Sequence, residues 1–208
     1  MNKGYEDVLS SISSSNPTPG GGSVSALILS HAHSLATMVA RLTSGRDKWS
    51  DGQGIAEEII SKSEESIETS LRLAKEDALA FDSVMNSYRL PKDTDELKET
   101  RKEAIFDSTI NAASVPLEIM HEASNLLNDI VNLAKYGNLN ALTDLLGSAE
   151  LAYSSSKIAS LNVRINLDSI KSGDQKEDLK TQVRELTLLT WERYEIINKI
   201  IMERLQWK

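Results

Sequence analysis

The 208-residue chain has no cysteine, which excludes disulfides, thiolate nucleophiles and cysteine-ligated zinc or iron–sulfur centres. A reducing compartment is the simplest setting, and a cytoplasmic location is expected. The first fifteen residues are polar and lack the basic stretch and apolar core of a secretory signal, so export is not expected. Aromatic residues make up only 5% of the chain, and no stretch alternates in the β-branched manner of a strand, so sheet content should be close to zero. Histidines number three. His31 and His33 are two apart and point in different directions on a helix, His121 is isolated, and no His-Glu-x-x-His pattern occurs, so no metal site is expected. No serine sits in Gly-x-Ser-x-Gly, which leaves a serine hydrolase without support. Positive charge is also short: the net charge is -8, which argues against a broad footprint for nucleic acid or an anionic membrane but leaves room for a small anion at a local basic pocket.

Only four prolines and ten glycines interrupt the chain, so long helices joined by short loops are predicted. The expected elements are a short helix over 5–14, then helices over 23–42, 55–88, 95–135 (adjusted near Pro116), 139–170 and 176–206. Gly137 ends one helix and Asn138 can cap the next. The segment 24–43 is apolar enough to suggest a membrane span, but His31, His33, Arg41 and its serines and threonines identify it as a buried helix. The fold class is therefore all-α, a bundle of long helices, with residues 1–208 forming a single domain.

Four constellations carry chemistry. Asn16-Pro17-Thr18-Pro19-Gly20-Gly21-Gly22-Ser23 leads into a helix whose first-turn amides lack intrahelical partners and attract an anion or a carbonyl. Consecutive glycines allow close approach of a ligand or another chain, and Ser23 is a plausible cap; the bland alternative is a flexible entry turn. Asp77 has Leu73, Ala74, Ala80 and Phe81 at i−4, i−3, i+3 and i+4, the only helical carboxylate so surrounded, which points it at the core. There, desolvation raises a carboxyl's pKa toward the range useful for proton transfer, unless a buried partner gives it a purely structural role. Arg41, Arg46 and Lys48, with Lys92 further on, either complement helix C-termini or converge on ligand carboxylates. Asn138 and Asp144, and Asn162 and Asn166 four apart on one helix face, suggest buried amides bonding to a neighbouring helix, a second subunit or a heterocycle.

Taken in order, Pro19-Gly20-Gly21-Gly22-Ser23, Thr43-Ser44-Gly45-Arg46, Asp77-Ala78-x-Ala80-Phe81, Arg89-Leu90-Pro91-Lys92, Ser114-Val115-Pro116-Leu117, Gly137-Asn138 with Asp144, and Asn162-Val163-x-Ile165-Asn166 resemble the cyclodeaminase and methenyltetrahydrofolate cyclohydrolase family. That family includes the C-terminal half of formiminotransferase-cyclodeaminase, and the similarity spans almost the whole chain. The resemblance implies an all-α homodimer with a tetrahydrofolate site in a cleft near the subunit interface, and Asp77 as catalytic acid and base. It further implies that Gly20, Gly21, Gly22 and Ser23 seat the folate, that Arg46, Lys48 and Lys92 hold its glutamate carboxylates, and that Asn138, Asp144, Asn162 and Asn166 read the pterin. The tetrahydrofolate derivative is the substrate, and neither reaction of the family needs a metal or redox cofactor. Cyclodeamination of 5-formiminotetrahydrofolate is the expected activity, with cyclohydrolysis to 10-formyltetrahydrofolate as its alternative. A non-catalytic, folate-binding or structural helical dimer is the reading from another class.

Overall fold

The computed structural model describes residues 3–207. Every regular element among them is helical: α1 (Lys3–Ile12), α2 (Gly21–Thr43), α3 (Gln53–Tyr88), α4 (Asp95–Tyr136), α5 (Leu142–Asp168) and α6 (Asp174–Leu205). Two 3-10 turns, Asp47–Gly52 and Leu139–Ala141, precede α3 and α5. Neither was legible as a separate element, because a turn of three to six residues has no periodicity to read.

Local chemistry sets the helix ends. The Thr94 hydroxyl accepts from Leu97 N at 3.2 Å, with Asp95 and Glu96 in the first turn of α4 and Lys135 in its last, an arrangement that complements the helix dipole. Asn138 caps the second 3-10 turn by accepting from Asn140 N at 3.0 Å. Arg204 of α6 donates to Ala134 O at 2.6 Å and Gly137 O at 2.9 Å, satisfying carbonyls left open where α4 ends.

Helices α2, α3, α4 and α5 pack as a ring in which each neighbour runs antiparallel to the last, α5 closes back on α2, and α6 lies across α4 and α5. Small residues let α2 and α5 approach closely: Ser155 Oγ donates to Ser25 O at 2.8 Å and Ser148 Oγ to Ala32 O at 2.6 Å. At the far end of α2, Gly52 backs onto α4 so tightly that a Cβ there would lie 2.7 Å from Tyr136 O. The core is aliphatic, centred on side chains such as Leu29, Leu73, Ile119, Leu127, Leu145 and Ile197.

Among the described residues α2 is the one helix long and apolar enough to cross a membrane, and 61% of its most apolar window is buried within the bundle. Its outward side is apolar as well. Val24, Ile28, His31, Leu35, Met38 and Leu42 alternate at spacings of four and three, and all are half-buried or exposed. On the adjacent α5, Leu151, Ser154, Ile158, Leu161 and Ile165 repeat the pattern; Leu161 is 61% exposed and Ile165 66%. Together they make a two-helix apolar face with the 3.5-residue repeat of a coiled-coil seam.

Candidate functional site

A cavity of about 330 Å³ lies where the N-terminus of α2 meets the last third of α3, the middle of α4 and the end of α5. Loop residues Pro17 and Thr18, the glycines 20 to 22, Asp77, Phe81 and Val84 of α3, Ala112 of α4, and Asn162, Ile165 and Asn166 of α5 form its wall. The loop enters through a cis Thr18–Pro19 peptide, and Gly20 stands at the N-cap of α2 without a side-chain cap bond.

Asp77 supplies what that helix start lacks. Ser23, in the first turn of α2, donates its hydroxyl to Asp77 Oδ2 at 2.9 Å. Ser23 is therefore not an N-cap as its position suggests; it is inside the helix and bonded across to α3. Gly22 is pressed against the same carboxylate: a Cβ there would lie 2.0 Å from Oδ1 and 2.5 Å from Cγ. Glycine is required at 22 by this contact and not by its backbone angles. Burial pushes the Asp77 carboxyl above the usual carboxylate range, and the Ser23 hydroxyl and backbone N–H draw it partly back. Of its four apolar neighbours, Leu73, Ala74 and Ala80 are buried, but Phe81 is 37% exposed at the cavity rim. Asp77 is accordingly half-buried and open to the cavity, instead of sealed in the core.

The asparagine pair of α5 also reaches this wall. Asn162 donates Nδ2 to Ile158 O at 2.9 Å. Asn166 donates Nδ2 to Ala112 O at 2.8 Å and to Asn162 O at 2.9 Å. The bond to Ala112 has a cause in the sequence: Pro116, inside α4, has no N–H, so the carbonyl four residues back is freed. The Asn166 amide takes its place and ties α5 to α4. With both Nδ2 hydrogens engaged, the group Asn166 has left to offer a ligand is Oδ1.

The other expected site residues lie elsewhere. Arg46 and Lys48 follow the C-terminus of α2, and the 23 residues of that helix put its ends about 33 Å apart. Both are exposed, and the Lys48 ammonium lies 4.8 Å from the Trp49 ring centroid. Asn138 is at that far end too, where its Nδ2 donates to Leu42 O at 2.9 Å and its N–H to Thr43 Oγ1 at 3.0 Å; its polar groups stitch the loop to α2. Asp144 is exposed in the first turn of α5, about 27 Å along that helix from Asn162. Lys92 is exposed in the loop between α3 and α4, beyond the cavity wall. A single chain thus joins Asp77, the glycines, Asn162 and Asn166, and separates them from Arg46, Lys48, Lys92, Asn138 and Asp144.

Two of the other cavities bear comparison with this one. A groove of about 750 Å³ between the start of α4 and the α5–α6 connection is edged by exposed charges of both signs, Lys102 being paired with Glu99. A cavity of about 370 Å³ holds Glu122 and Asp129 beside Lys62 and Arg193. Burial pushes both carboxyls up, and neighbouring cations offset part of that rise. Their burial was not legible in the sequence, because it comes from neighbouring helices and not from apolar neighbours on α4. Neither cavity adjoins a helix N-terminus rich in glycine. His33, whose buried imidazole is pushed down to about 4 by desolvation, also lines the second.

Comparison with known proteins gives the context for the Asp77 cavity. The profile of the Formiminotransferase-cyclodeaminase family matches residues 4–185. The methenyltetrahydrofolate cyclohydrolase of Methylorubrum extorquens is 32% identical over 185 residues, covering 89% of this chain and 88% of that protein. The formimidoyltransferase-cyclodeaminase of Rattus norvegicus is 30% identical over 168 residues, 81% of this chain but only 31% of that longer protein. The crystal structure of formiminotetrahydrofolate cyclodeaminase from Thermotoga maritima superposes with a TM-score of 0.87 at 27% identity, covering 97% of this chain and 96% of that one. The chain belongs to the Formiminotransferase-cyclodeaminase family and is one of its folate one-carbon enzymes.

Proposed function

We propose that this enzyme cyclises 5-formiminotetrahydrofolate to 5,10-methenyltetrahydrofolate and ammonia, with Asp77 moving the proton. The observation that carries the reading is a single half-buried carboxyl of raised pKa on the wall of a cavity that holds no other ionisable side chain. N10 attacks the carbon of the formimino group, which is protonated on its terminal nitrogen, and a C–N10 bond forms. The Asp77 carboxylate takes the N10 proton and delivers it to the departing nitrogen; the C–N bond breaks, ammonia leaves, and the positive charge remains on the methenyl bridge. One group of intermediate proton affinity serves as base and then as acid. The glycine amides at the start of α2 offer donors to a ligand carbonyl, and the Asn162 and Asn166 carbonyl oxygens offer acceptors to the N–H groups of a pterin.

A second reaction has a specific observation in its favour. The relative of similar length from Methylorubrum extorquens is named a methenyltetrahydrofolate cyclohydrolase, and adding water to the methenyl carbon also needs one proton shuttle. Absorbance of the methenyl species separates the two: it appears from the formimino substrate in cyclodeamination and disappears toward the formyl product in cyclohydrolysis. In either assay Asp77→Asn is expected to lose most turnover while folate still raises the Tm. Unimpaired turnover in Asp77→Asn ends the mechanism.

We propose further that the enzyme is a homodimer assembled through the apolar α2–α5 face. A second copy packed antiparallel on the α2–α5 stripe buries Val24, Ile28, Leu35, Met38 and Leu42. It also brings the partner subunit's Arg46 and the partner subunit's Lys48 toward the glycine end of α2, where they can hold the glutamate carboxylates of a folate.

A further inference from the structure

Ser23 hydrogen-bonds Asp77 but is not part of the cavity wall, and it is 1% exposed. Its hydroxyl and its backbone N–H both face the carboxylate. The bond to Oδ2 leaves Oδ1 beside Gly22, a residue of the cavity wall. We propose that Ser23 is a positioning residue for Asp77, holding Oδ2 so that Oδ1 is the oxygen that exchanges the proton with substrate. This rests on the assignment of Asp77 as the proton carrier.

The arrangement works in both protonation states. With the proton on Oδ1, Oδ2 is a carbonyl oxygen and still accepts from Ser23; with the proton gone, Oδ2 is part of a carboxylate and accepts more strongly. The carboxyl plane therefore stays fixed through the catalytic cycle, and the incoming proton is directed to one oxygen. No charged side chain shares this task. From α2, α4 and α5 the cavity wall brings glycines, Ala112, Asn162, Ile165 and Asn166, and from α3 it brings Phe81 and Val84. Glu76, next in sequence, is paired with Arg72 at 2.7 Å, which also bonds Glu118 at 2.8 Å.

The test compares Ser23→Ala, Ser23→Thr and Asp77→Asn with the wild type. Ser23→Ala removes the bond to Oδ2 and is expected to fold with a Tm a few degrees below that of wild type, the higher helix propensity of alanine offsetting a small part of the loss. Its KM stays within about twofold, while kcat falls roughly tenfold to a hundredfold, the size of one lost hydrogen bond to an ionised group. Its pH–rate profile shifts: the limb set by Asp77 moves up, because a donor to the charged form is gone. Ser23→Thr keeps the hydroxyl and recovers both kcat and the wild-type limb. A carbon-13 titration of the Asp77 carboxyl in Ser23→Ala reads the same upward movement independently of turnover. A Ser23→Ala enzyme with wild-type kcat, pH profile and carboxyl titration, beside an inactive Asp77→Asn, overturns the role of Ser23 alone. A fully active Asp77→Asn overturns the assignment beneath it.

Discussion

Replacing Gly22 by alanine adds one methyl group, and the structure sets what it meets. The new Cβ would lie 2.0 Å from Asp77 Oδ1, 2.5 Å from Cγ and 2.6 Å from Oδ2, whereas real Cβ atoms essentially never come within 3.0 Å of another atom. The carboxyl group must retreat by about 1 Å or more, because all three of its heavy atoms on that side are blocked and α2 is held from behind by α5. Retreat breaks the Ser23 bond, worth about 1.5–3 kcal/mol if Asp77 is ionised. Alanine in a helix interior returns about 1 kcal/mol, so the net loss is roughly 0.5–2 kcal/mol, a Tm fall of a few degrees for a chain of this size. Activity responds more steeply, since a misplacement of about 1 Å at a reacting group costs on the order of a hundredfold in rate. Gly54 provides the control: it is likewise the second residue of its helix, nothing lies within 4 Å of its Cβ position, and Gly54→Ala is expected to leave the rate at wild type and raise the Tm by up to a few degrees. Thermal unfolding and the methenyl absorbance assay measure the two effects. A Gly22→Ala enzyme with wild-type kcat refutes the argument that this contact holds the carboxylate in its working place.

Two further outcomes follow from other parts of the molecule. Pro116→Ala restores an N–H to α4 that competes with Asn166 for Ala112 O; KM is expected to rise several-fold with kcat little changed and stability within about 1 kcal/mol. An unchanged KM would show that Asn166 does not touch the substrate through this arrangement. Leu42→Glu combined with Leu161→Glu puts charge on the α2–α5 face and is expected to convert a dimer to a monomer in sedimentation analysis while the helical circular dichroism persists. A variant that sediments as wild type would remove this face as the interface.

Much of the fold is legible because helices report on themselves. Glycine, proline and a capping side chain such as Asn138 mark the ends, and apolar residues three and four apart mark the buried faces. Asp77 is legible for the same reason: its neighbours at those spacings belong to its own helix, and three of them are buried. The small elements 47–52 and 139–141 fall below the length at which periodicity has meaning. Glu122 and Asp129 were missed because the groups that bury them come from other helices.

The sequence by itself determined that the chain is a set of long helices, where those helices start and stop to within about three residues, and that one carboxylate sits in an apolar setting. Spacing along a helix is fixed by 3.6 residues per turn, so such facts need no tertiary contact. Only the tertiary structure decided that Ser23 bonds Asp77 and caps nothing, that Pro116 frees the carbonyl to which Asn166 donates, and that Arg46, Lys48, Asn138 and Asp144 stand at the opposite end of the bundle from the cavity. Each of these is a relation between helices far apart in sequence. It depends on the register in which they pack, which small residues such as Gly22, Ser25 and Ser155 set through close contact and which no pattern within one helix records.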